Sequence, residues 1–327
     1  MAEETVKASS AAMGTGLQFS VVIPVFNEEE NILELYSRLS GVLEKLCLDA
    51  GRPSDSYELI MVDDGSRDGS WRLIKELHEK DPRVKGVSFS RNFGHHIAIT
   101  AGIDQAEGAA VILMDGDLQD PPEEIPKLWE KFREGNELVY GIRKEKKDSF
   151  MKRLNSRLFW WFINRLSGID IPRNQTLLRI IDRKIVDVLK NMGERARFVH
   201  GMMAWTGFRI SLMEVEHAPR FRGTSKYNFI KLIRLAFNAI TSFSTVPLRL
   251  STYLGILSAG VGMLYGFYFI YKKVFLGIPV LGYASIIVAV LFVGGVQLLI
   301  MGIMGEYLGR VYQEVQKRPL YILKDRV

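Results

Sequence analysis

The chain carries acidic side chains whose spacing suits a divalent cation. Asp115 and Asp117 are separated by one residue, and Gln119 follows at the same interval. Mg²⁺ and Mn²⁺ prefer carboxylate, amide carbonyl and water oxygens as ligands. A cation held here would stabilise charge developing on the oxygens of a diphosphate leaving group. The pattern has a plainer alternative, because paired acids also cap helices, and the Pro-Pro-Glu-Glu string at 121–124 opens one, which would account for Asp120.

Two further polar groups precede this motif. The string Pro24-Val25-Phe26-Asn27-Glu28 ends one apolar run, and Asp63-Asp64-Gly65-Ser66 ends another. Asp115 likewise ends an apolar run. In parallel sheets ligands bind at the carboxyl ends of the strands, so these three groups are expected at one edge of a sheet. The second string could also be an ordinary turn with favourable Asp and Gly residues.

The elements that must position these groups follow from the hydrophobic pattern. Short apolar runs rich in β-branched residues alternate with longer amphipathic stretches, which predicts an α/β domain with a mostly parallel sheet covered by helices. The predicted strands cover residues 19–25, 57–63, 84–90 and 109–115, and the predicted helices cover residues 28–48, 70–79 and 96–106.

The C-terminal part of the chain has a different composition. No charged residue occurs between Leu250 and Tyr271 or between Val274 and Gly305. Each run can cross a hydrocarbon core of about 30 Å, whereas helices buried in soluble proteins are usually shorter. We therefore predict a hairpin of two transmembrane helices at about 250–271 and 281–304. Basic residues flank the hairpin, and its loop has only Lys272 and Lys273. The positive-inside rule then places both flanks and the large domain in the cytoplasm.

Composition limits the remaining options. The 327 residues are 47% hydrophobic with a net charge of +6, which allows one sizeable domain plus the hairpin. The basic residues crowd the segments next to the apolar runs, which favours anionic lipid over nucleic acid as a partner. The lone Cys47 permits no internal disulfide and fits a reducing compartment. Residues 1–18 are small and polar, which predicts a disordered tail without a signal peptide.

Two segments are candidates for the membrane surface. Residues 150–166 interleave basic and aromatic side chains, a pattern of helices that lie in the headgroup layer, although such a helix could instead pack on the sheet. Residues 227–248 have similar character and lead into the first apolar run. His95 and His96 could form a metal pair, but adjacent side chains diverge on a helix or strand, so a structural role is favoured.

Six strings together resemble the polyprenyl-phosphate glycosyltransferases of glycosyltransferase family 2, the group that includes bactoprenol glucosyltransferases and dolichyl-phosphate mannose synthases. The strings are VVIPVFNEEENI at 21–32, VDDGSRDGS at 62–70, SRNFGHHIAITAGIDQA at 90–106, MDGDLQDPPEEIP at 114–126, RFRGTSKYN at 220–228 and GGVQLLIMGIMGEYLGRVYQEVQKRPLY at 294–321.

The resemblance implies a GT-A (Rossmann-like) catalytic domain at 19–226, an amphipathic juxtamembrane helix at 227–248, the transmembrane hairpin at 249–305 and a cytoplasmic segment at 306–327. It implies inverting transfer of glucose from UDP-glucose to undecaprenyl phosphate with Mg²⁺ or Mn²⁺. The product would be a lipid phosphosugar for cell-envelope or protein glycosylation. The protein would be a homo-oligomer, a tetramer by resemblance, in the bacterial inner membrane.

The resemblance also implies roles for individual residues. The nucleotide base and ribose would contact Pro24, Phe26, Glu28 and Asp64. The metal would be held by Asp117 and Gln119 with Asp115, and Gly116 would lie at the cofactor. The donor diphosphate would be bound by four basic residues: Arg143, Arg153, Arg220 and Lys226. Of all these, Asp115, Asp117, Arg220 and Lys226 would be catalytic.

One position departs from the family pattern. Relatives commonly have a Gly-Asp-Phe-Arg-Leu string whose aspartate is a candidate catalytic base, and here Leu177 occupies the position of that aspartate. A phosphate monoester has its second pKa near 6, so the acceptor is mostly dianionic and already nucleophilic near pH 7. We therefore expect no dedicated protein base. Asn174, Gln175 and Arg179 would shape the acceptor-sugar site.

Two rival functions stay open. A glycosyltransferase that extends a polysaccharide would carry a Gln-x-x-Arg-Trp string and more membrane helices, neither of which occurs in this sequence. A non-catalytic scaffold that binds nucleotide sugar is the other rival, and Leu177 keeps it under consideration. Consumption of the donor in the presence of metal would separate the scaffold from an enzyme.

Overall fold

A computed structural model describes residues 16–143, 165, 168, 172, 174–216, 241, 244–276 and 282–327. The chain divides into two compact units, one holding a β-sheet and one holding the two long apolar helices. Three predicted segments lie wholly or mostly outside the described residues: residues 1–15 of the tail predicted at 1–18, most of the helix predicted at 150–166 and most of the segment at 227–248.

The first unit is built on one eight-stranded mixed sheet in the order β7-β5-β6-β4-β1-β2-β3-β8. The strands are β1 (Phe19–Val25), β2 (Tyr57–Asp63), β3 (Val84–Phe89), β4 (Ala110–Leu113), β5 (Leu138–Arg143), β6 (Gln175–Asp182), β7 (Ile210–Val215) and β8 (Leu323–Arg326). The helices of this unit are α1 (Ile32–Asp49), α2 (Ser70–Lys80), α3 (His95–Gln105), α4 (Ile125–Arg133), α5 (Arg183–Asn191) and α6 (Val199–Trp205).

The central strands confirm the predicted parallel sheet. β1 pairs in parallel with both β2 and β4, and β2 pairs in parallel with β3. Every residue of β1 and β2 is buried, which explains why both strands are mostly apolar, and the polar Ser20 and Glu58 within them are hydrogen-bonded to each other. Helix α1 buries Leu35, Leu39, Leu43 and Leu46, a helical spacing that places one face on the core.

Three strand pairs run antiparallel. β6 lies between β4 and β5 and is antiparallel to both, and β8 is antiparallel to β3. The predicted C-terminal segment at 306–327 contributes to two elements. Its first part continues the second apolar helix, and its last residues form β8, whose ends are fixed by hydrogen bonds from Val327 N to Gly86 O (2.9 Å) and from Ser90 N to Ile322 O (3.0 Å).

The second unit contains α7 (Val246–Phe275) and α8 (Tyr283–Gln316). Both helices are longer than the predicted apolar spans. They have mean hydropathies of 1.5 and 2.7 over their most apolar windows, and none of those window residues is buried. Within this unit the Tyr307 hydroxyl donates to the carbonyl of Ser244 (2.6 Å). Helices of this length with outward apolar side chains fit a hydrocarbon environment.

Candidate active site at the carboxyl edge of the sheet

The carboxyl ends of β1, β2 and β4 open into a cavity of about 300 Å³. Seven of its lining residues were predicted from the sequence: Pro24, Phe26, Glu28, Asp64, Asp115, Gly116 and Asp117. Val25, Asn92, Gly94, His95 and Ala98 complete the lining. The three polar groups that follow separate strands therefore meet at one place, as parallel strands require.

The loops after β1 and β2 are joined by reciprocal hydrogen bonds. Asn27 N donates to Ser66 Oγ (2.9 Å), and Arg67 N donates to Asn27 Oδ1 (2.9 Å). Glu28 N donates to Ser70 Oγ (3.0 Å). Asn27 has a φ of 56°, a left-handed conformation that asparagine tolerates better than most residues. These bonds hold the loop carrying Phe26 and Glu28 in a fixed relation to the loop that follows β2.

The two adjacent aspartates at the end of β2 have different environments. Asp63 is turned into the protein, where Ser88 Oγ donates to its carboxylate (2.8 Å). The Asp64 carboxylate lines the cavity and accepts hydrogen bonds from Phe93 N (2.6 Å) and Gly94 N (2.9 Å). Burial raises the pKa of Asp64, although the two amide donors oppose that shift. Asp64 therefore holds the loop before α3, through Phe93 and Gly94, against the wall of the cavity.

The Asp-x-Asp motif forms the turn after β4. Its second carboxylate, Asp117, is only 8% exposed and accepts a hydrogen bond from Gln119 N (3.1 Å). Leu118, which lies between Asp117 and Gln119, has a φ of 58°. Such a backbone conformation is uncommon for a branched side chain and is found in strained functional turns. Burial is the main cause that raises the pKa of Asp115 to about 7, and repulsion from the charges of Asp117 and Asp120 adds to it.

The helix-capping alternative finds no support at this turn. The 3-10 turn Pro122–Glu124 begins after Pro121, and neither it nor α4 has a side-chain cap at its N-terminus. The N-cap residues of these two elements are Pro121 and Glu124, so the acids of the Asp-x-Asp motif do not occupy the capping positions.

The carboxylate pair fits a divalent cation that takes some of its ligands from the protein and the others from a substrate. Within the part of the chain that the structure describes, no group of three or more His, Cys, Asp or Glu side chains is arranged to hold a metal. Asp115 and Asp117 nevertheless both face the cavity. Mg²⁺ typically takes one or two carboxylates and completes its shell with phosphate oxygens and water. The two carboxylates would supply hard oxygen ligands and would leave coordination positions on the cation for the oxygens of a diphosphate.

His95 and His96 open helix α3, and their rings make an edge contact with centroids 5.9 Å apart. His96 lies in an aromatic cluster with His200 and Phe198, at centroid distances of 5.2 and 5.4 Å. Burial lowers the pKa of His96 to about 4, so its imidazole is neutral. His95 instead lines the cavity, with its Nε2 3.8 Å from Asp115 Oδ1. Its position at the start of the helix that follows β3 was the signal that could have placed it at the site.

Arg179, which was predicted to shape the acceptor-sugar site, is completely buried in β6 and does not line this cavity. Its guanidinium lies 4.6 Å from the centroid of the Tyr140 ring, and its Nε donates to the carbonyl of Leu177 (3.0 Å). The Leu177 side chain is 5% exposed. Arg179 therefore contributes a fixed positive charge beneath the site without reaching into it.

Comparison with known proteins identifies the family. The profile of glycosyl transferase family 2 matches residues 20–189, just over half of the chain. An uncharacterized glycosyltransferase of Synechocystis sp. is 43% identical over 94% of this chain and 95% of its own length. The chain belongs to glycosyl transferase family 2. A bactoprenol glucosyl transferase of Shigella phage SfII, a further relative, is 41% identical over 94% of this chain and 98% of its own length.

The fold agrees with this membership, since the mixed, mostly parallel sheet is the GT-A arrangement of family 2 glycosyltransferases. Among solved structures, residues 1–349 of S. aureus TarS in complex with UDP-GlcNAc have a TM-score of 0.45 and 20% identity over 68% of this chain and 66% of that fragment.

The apolar helices of this family 2 enzyme also have a counterpart. The profile of the GtrB C-terminal hairpin matches residues 246–311, which covers α7 and most of α8. Together with the length and hydropathy of the two helices, this match indicates association with a membrane.

The remaining predicted residues of the family 2 site fall into two groups. Gln119 and Arg143 are described but do not line the cavity, and Arg143 is exposed at the end of β5. Arg153, Arg220 and Lys226 lie outside the described residues.

Proposed function

We propose that this protein transfers glucose from UDP-glucose to the phosphate of a polyprenyl lipid, with undecaprenyl phosphate as the acceptor. One observation carries the proposal. In a chain 41% identical over 94% of its length to a bactoprenol glucosyl transferase, the cavity brings the Asp-x-Asp carboxylates together with Phe26, Glu28 and Asp64. The transfer would take place at the cytoplasmic face of the bacterial inner membrane. The product would serve cell-envelope or protein glycosylation.

The donor would lie across the carboxyl edge of the sheet. Phe26 is 45% exposed at the cavity and offers an aromatic face to the base. Pro24, Glu28 and Asp64 would complete the base and ribose pocket. Arg143, Arg153, Arg220 and Lys226 would grip the diphosphate, because guanidinium groups bind phosphate oxygens through paired hydrogen bonds.

Asp115, Asp117 and Gln119 would hold Mg²⁺ or Mn²⁺, with Gly116 between the two carboxylates. When bound, the cation supplies Lewis-acid stabilisation of the departing diphosphate. Gly116 allows the motif to approach β1 closely, since a Cβ at this position would lie 3.3 Å from the carbonyl oxygen of Pro24.

The reaction would be a single displacement with inversion. A phosphate oxygen of the acceptor attacks the anomeric carbon, the bond from that carbon to the diphosphate breaks, and the nucleoside diphosphate leaves with the electron pair. An α-linked donor then gives a β-linked lipid phosphosugar. Because the acceptor is mostly dianionic near pH 7, no proton has to be removed by the protein. NMR of the product tests this stereochemistry, and a retained configuration would contradict it.

Incubation of purified protein with Mn²⁺ or Mg²⁺, undecaprenyl phosphate and labelled UDP- and GDP-sugars tests the proposed activity. Label from UDP-glucose is expected in the organic phase. If every donor binds and none is transferred, the protein is a nucleotide-sugar-binding scaffold and the proposal fails. Light scattering of the detergent-solubilised protein tests the homotetramer that the family resemblance implies.

A carboxylate restored at position 177 is not expected to accelerate the reaction. Leu177 is 5% exposed in β6, two residues before Arg179, and Arg179 pairs with Leu113 of β4, the strand that leads into the turn with Asp115 and Asp117. Leu177→Asp would therefore add a buried negative charge beside the existing carboxylates, which costs stability. We expect turnover with UDP-glucose to stay equal or to fall.

The neutral variant Leu177→Asn, of the same size as the aspartate variant, separates polarity from charge. Initial rates at saturating donor and acceptor are the measurement. A rate increase of about tenfold or more in Leu177→Asp but not in Leu177→Asn would contradict this expectation, because it would mean that the lack of a protein base limits turnover.

A further inference from the structure

The C-terminal residues form an aromatic bridge that the proposed chemistry does not use. The ring of Tyr321 stacks on Phe89, with centroids 4.9 Å apart and planes inclined by 19°. The Tyr321 hydroxyl donates to Asp104 Oδ2 at 3.3 Å. Phe89 is the last residue of β3, and Asp104 lies in the last turn of α3. Tyr321 therefore contacts both elements that flank the connection from β3 to α3.

That connection, residues 90–94, forms part of the cavity wall. Asn92 and Gly94 line the cavity, and the amides of Phe93 and Gly94 donate to the Asp64 carboxylate. The Phe93 ring packs edge to face against Phe89, with centroids 5.6 Å apart. A continuous series of contacts thus runs from Tyr321 through Phe89 and Phe93 to Asp64.

Strand β8 fixes Tyr321 in this place. The bond from Ser90 N to Ile322 O lies at the start of the connection, directly beside the tyrosine. At the other end of the strand, Trp71 Nε1 donates to Asp325 Oδ2 (3.1 Å). The residue after the strand, Val327, exchanges two backbone hydrogen bonds with Gly86. All four residues of β8 are exposed, and the ring of Tyr321, two residues before the strand, stacks on Phe89 of the neighbouring strand β3.

We propose that Tyr321 is a positioning residue that holds residues 90–94 in the conformation needed for nucleotide binding. Without the stack, Phe89 loses the contact on one face of its ring. Phe93, which packs edge to face on Phe89, is then less restrained, and so are the two amides that donate to Asp64. The final residues of the chain thereby become part of the donor site although none of them lines the cavity. This inference rests on the proposed function in taking the cavity as the nucleotide site.

The full-length protein in detergent tests this role by two measurements. In Tyr321→Ala, backbone hydrogen exchange of residues 90–94 is expected to accelerate about tenfold, because the stack that restrains Phe89 is lost. The affinity for UDP or GDP, whichever binds the unsubstituted protein more tightly, is expected to fall about fivefold to tenfold by calorimetry. The kcat at saturating donor should change less than about twofold. Tyr321→Phe keeps the stack and should restore most of the affinity.

Lys324→Ala is the matched control, because Lys324 is an exposed residue of the same strand. It should leave both exchange and affinity unchanged. If Tyr321→Ala lowers the thermal midpoint but leaves exchange at 90–94 and nucleotide affinity as they were, the tyrosine is only a stabilising contact and the proposal is overturned. Failure of the proposed function would look different, since the unsubstituted protein would bind nucleotide without transferring sugar and the exchange result would still decide the role of Tyr321.

Discussion

Replacing Asp117 by asparagine is expected to lower sugar transfer by about 10³-fold, because a bound cation supplies several kcal/mol at a transition state that places charge on phosphate. The substitution keeps the size of the side chain and an oxygen that can accept the bond from Gln119 N. It removes the negative charge of a residue that is nearly buried at the cavity. Transfer of label from UDP-glucose to undecaprenyl phosphate is the first measurement, and Mn²⁺ binding by electron paramagnetic resonance is the second.

Glu123→Gln provides the control for this experiment. Glu123 is an acid shortly after the motif, but its side chain is 51% exposed and pairs with Arg38. An exposed ion pair contributes roughly 0–1 kcal/mol, so transfer and metal binding should be unchanged. Normal turnover and normal Mn²⁺ binding in Asp117→Asn would remove this carboxylate from the metal site and would leave the Asp-x-Asp motif without its proposed role.

Gly65→Ala is expected to lower the free energy of unfolding of the sheet-containing unit by about 3 kcal/mol. Gly65 has a φ of 69°, and a Cβ there would come within 2.5 Å of the carbonyl carbon of Arg91. An alanine would be strained in itself and would displace the backbone that leads to Asn92 and Gly94 in the cavity wall. A thermal midpoint about 8 °C lower and an affinity for UDP at least about tenfold weaker should follow.

Gly51→Ala is a matched control for the strain alone. Gly51 has nearly the same φ, 70°, but nothing lies within 4 Å of the position of a Cβ. It should cost only the roughly 1–2 kcal/mol of a left-handed alanine and leave nucleotide affinity unchanged. Equal losses of stability in the two variants, with UDP binding intact in both, would mean that the backbone at Arg91 moves aside without effect on the site.

Most of the central sheet could be predicted from the sequence for a local reason. Strands buried on both faces are continuous apolar runs, and the predicted strands at 19–25 and 57–63 match β1 and β2. The residues that follow such strands have to lie at one edge of a parallel sheet, so the meeting of Asp64, Asp115 and Phe26 in one cavity followed from chain order.

Other features depended on contacts between distant parts of the chain. The sequence of β8, LKDR, has no apolar alternation, and it forms a strand because Tyr321 stacks on Phe89 and because Val327 bonds to Gly86. Likewise, the position of β6 between β4 and β5 depends on pairing across long connections, which no local periodicity encodes.

The same distinction applies within the site. Residue type and spacing were enough to single out the Asp-x-Asp motif and the pocket around Asp64, because those signals are local. Whether His95 faced the cavity, and whether Arg179 reached it, depended on how α3 and β6 are oriented against the central strands. The sequence by itself therefore determined the elements, their order and the chemistry at the strand ends. Only the tertiary structure decided which neighbouring side chains face the cavity, because a side chain's direction is set by packing across the sheet.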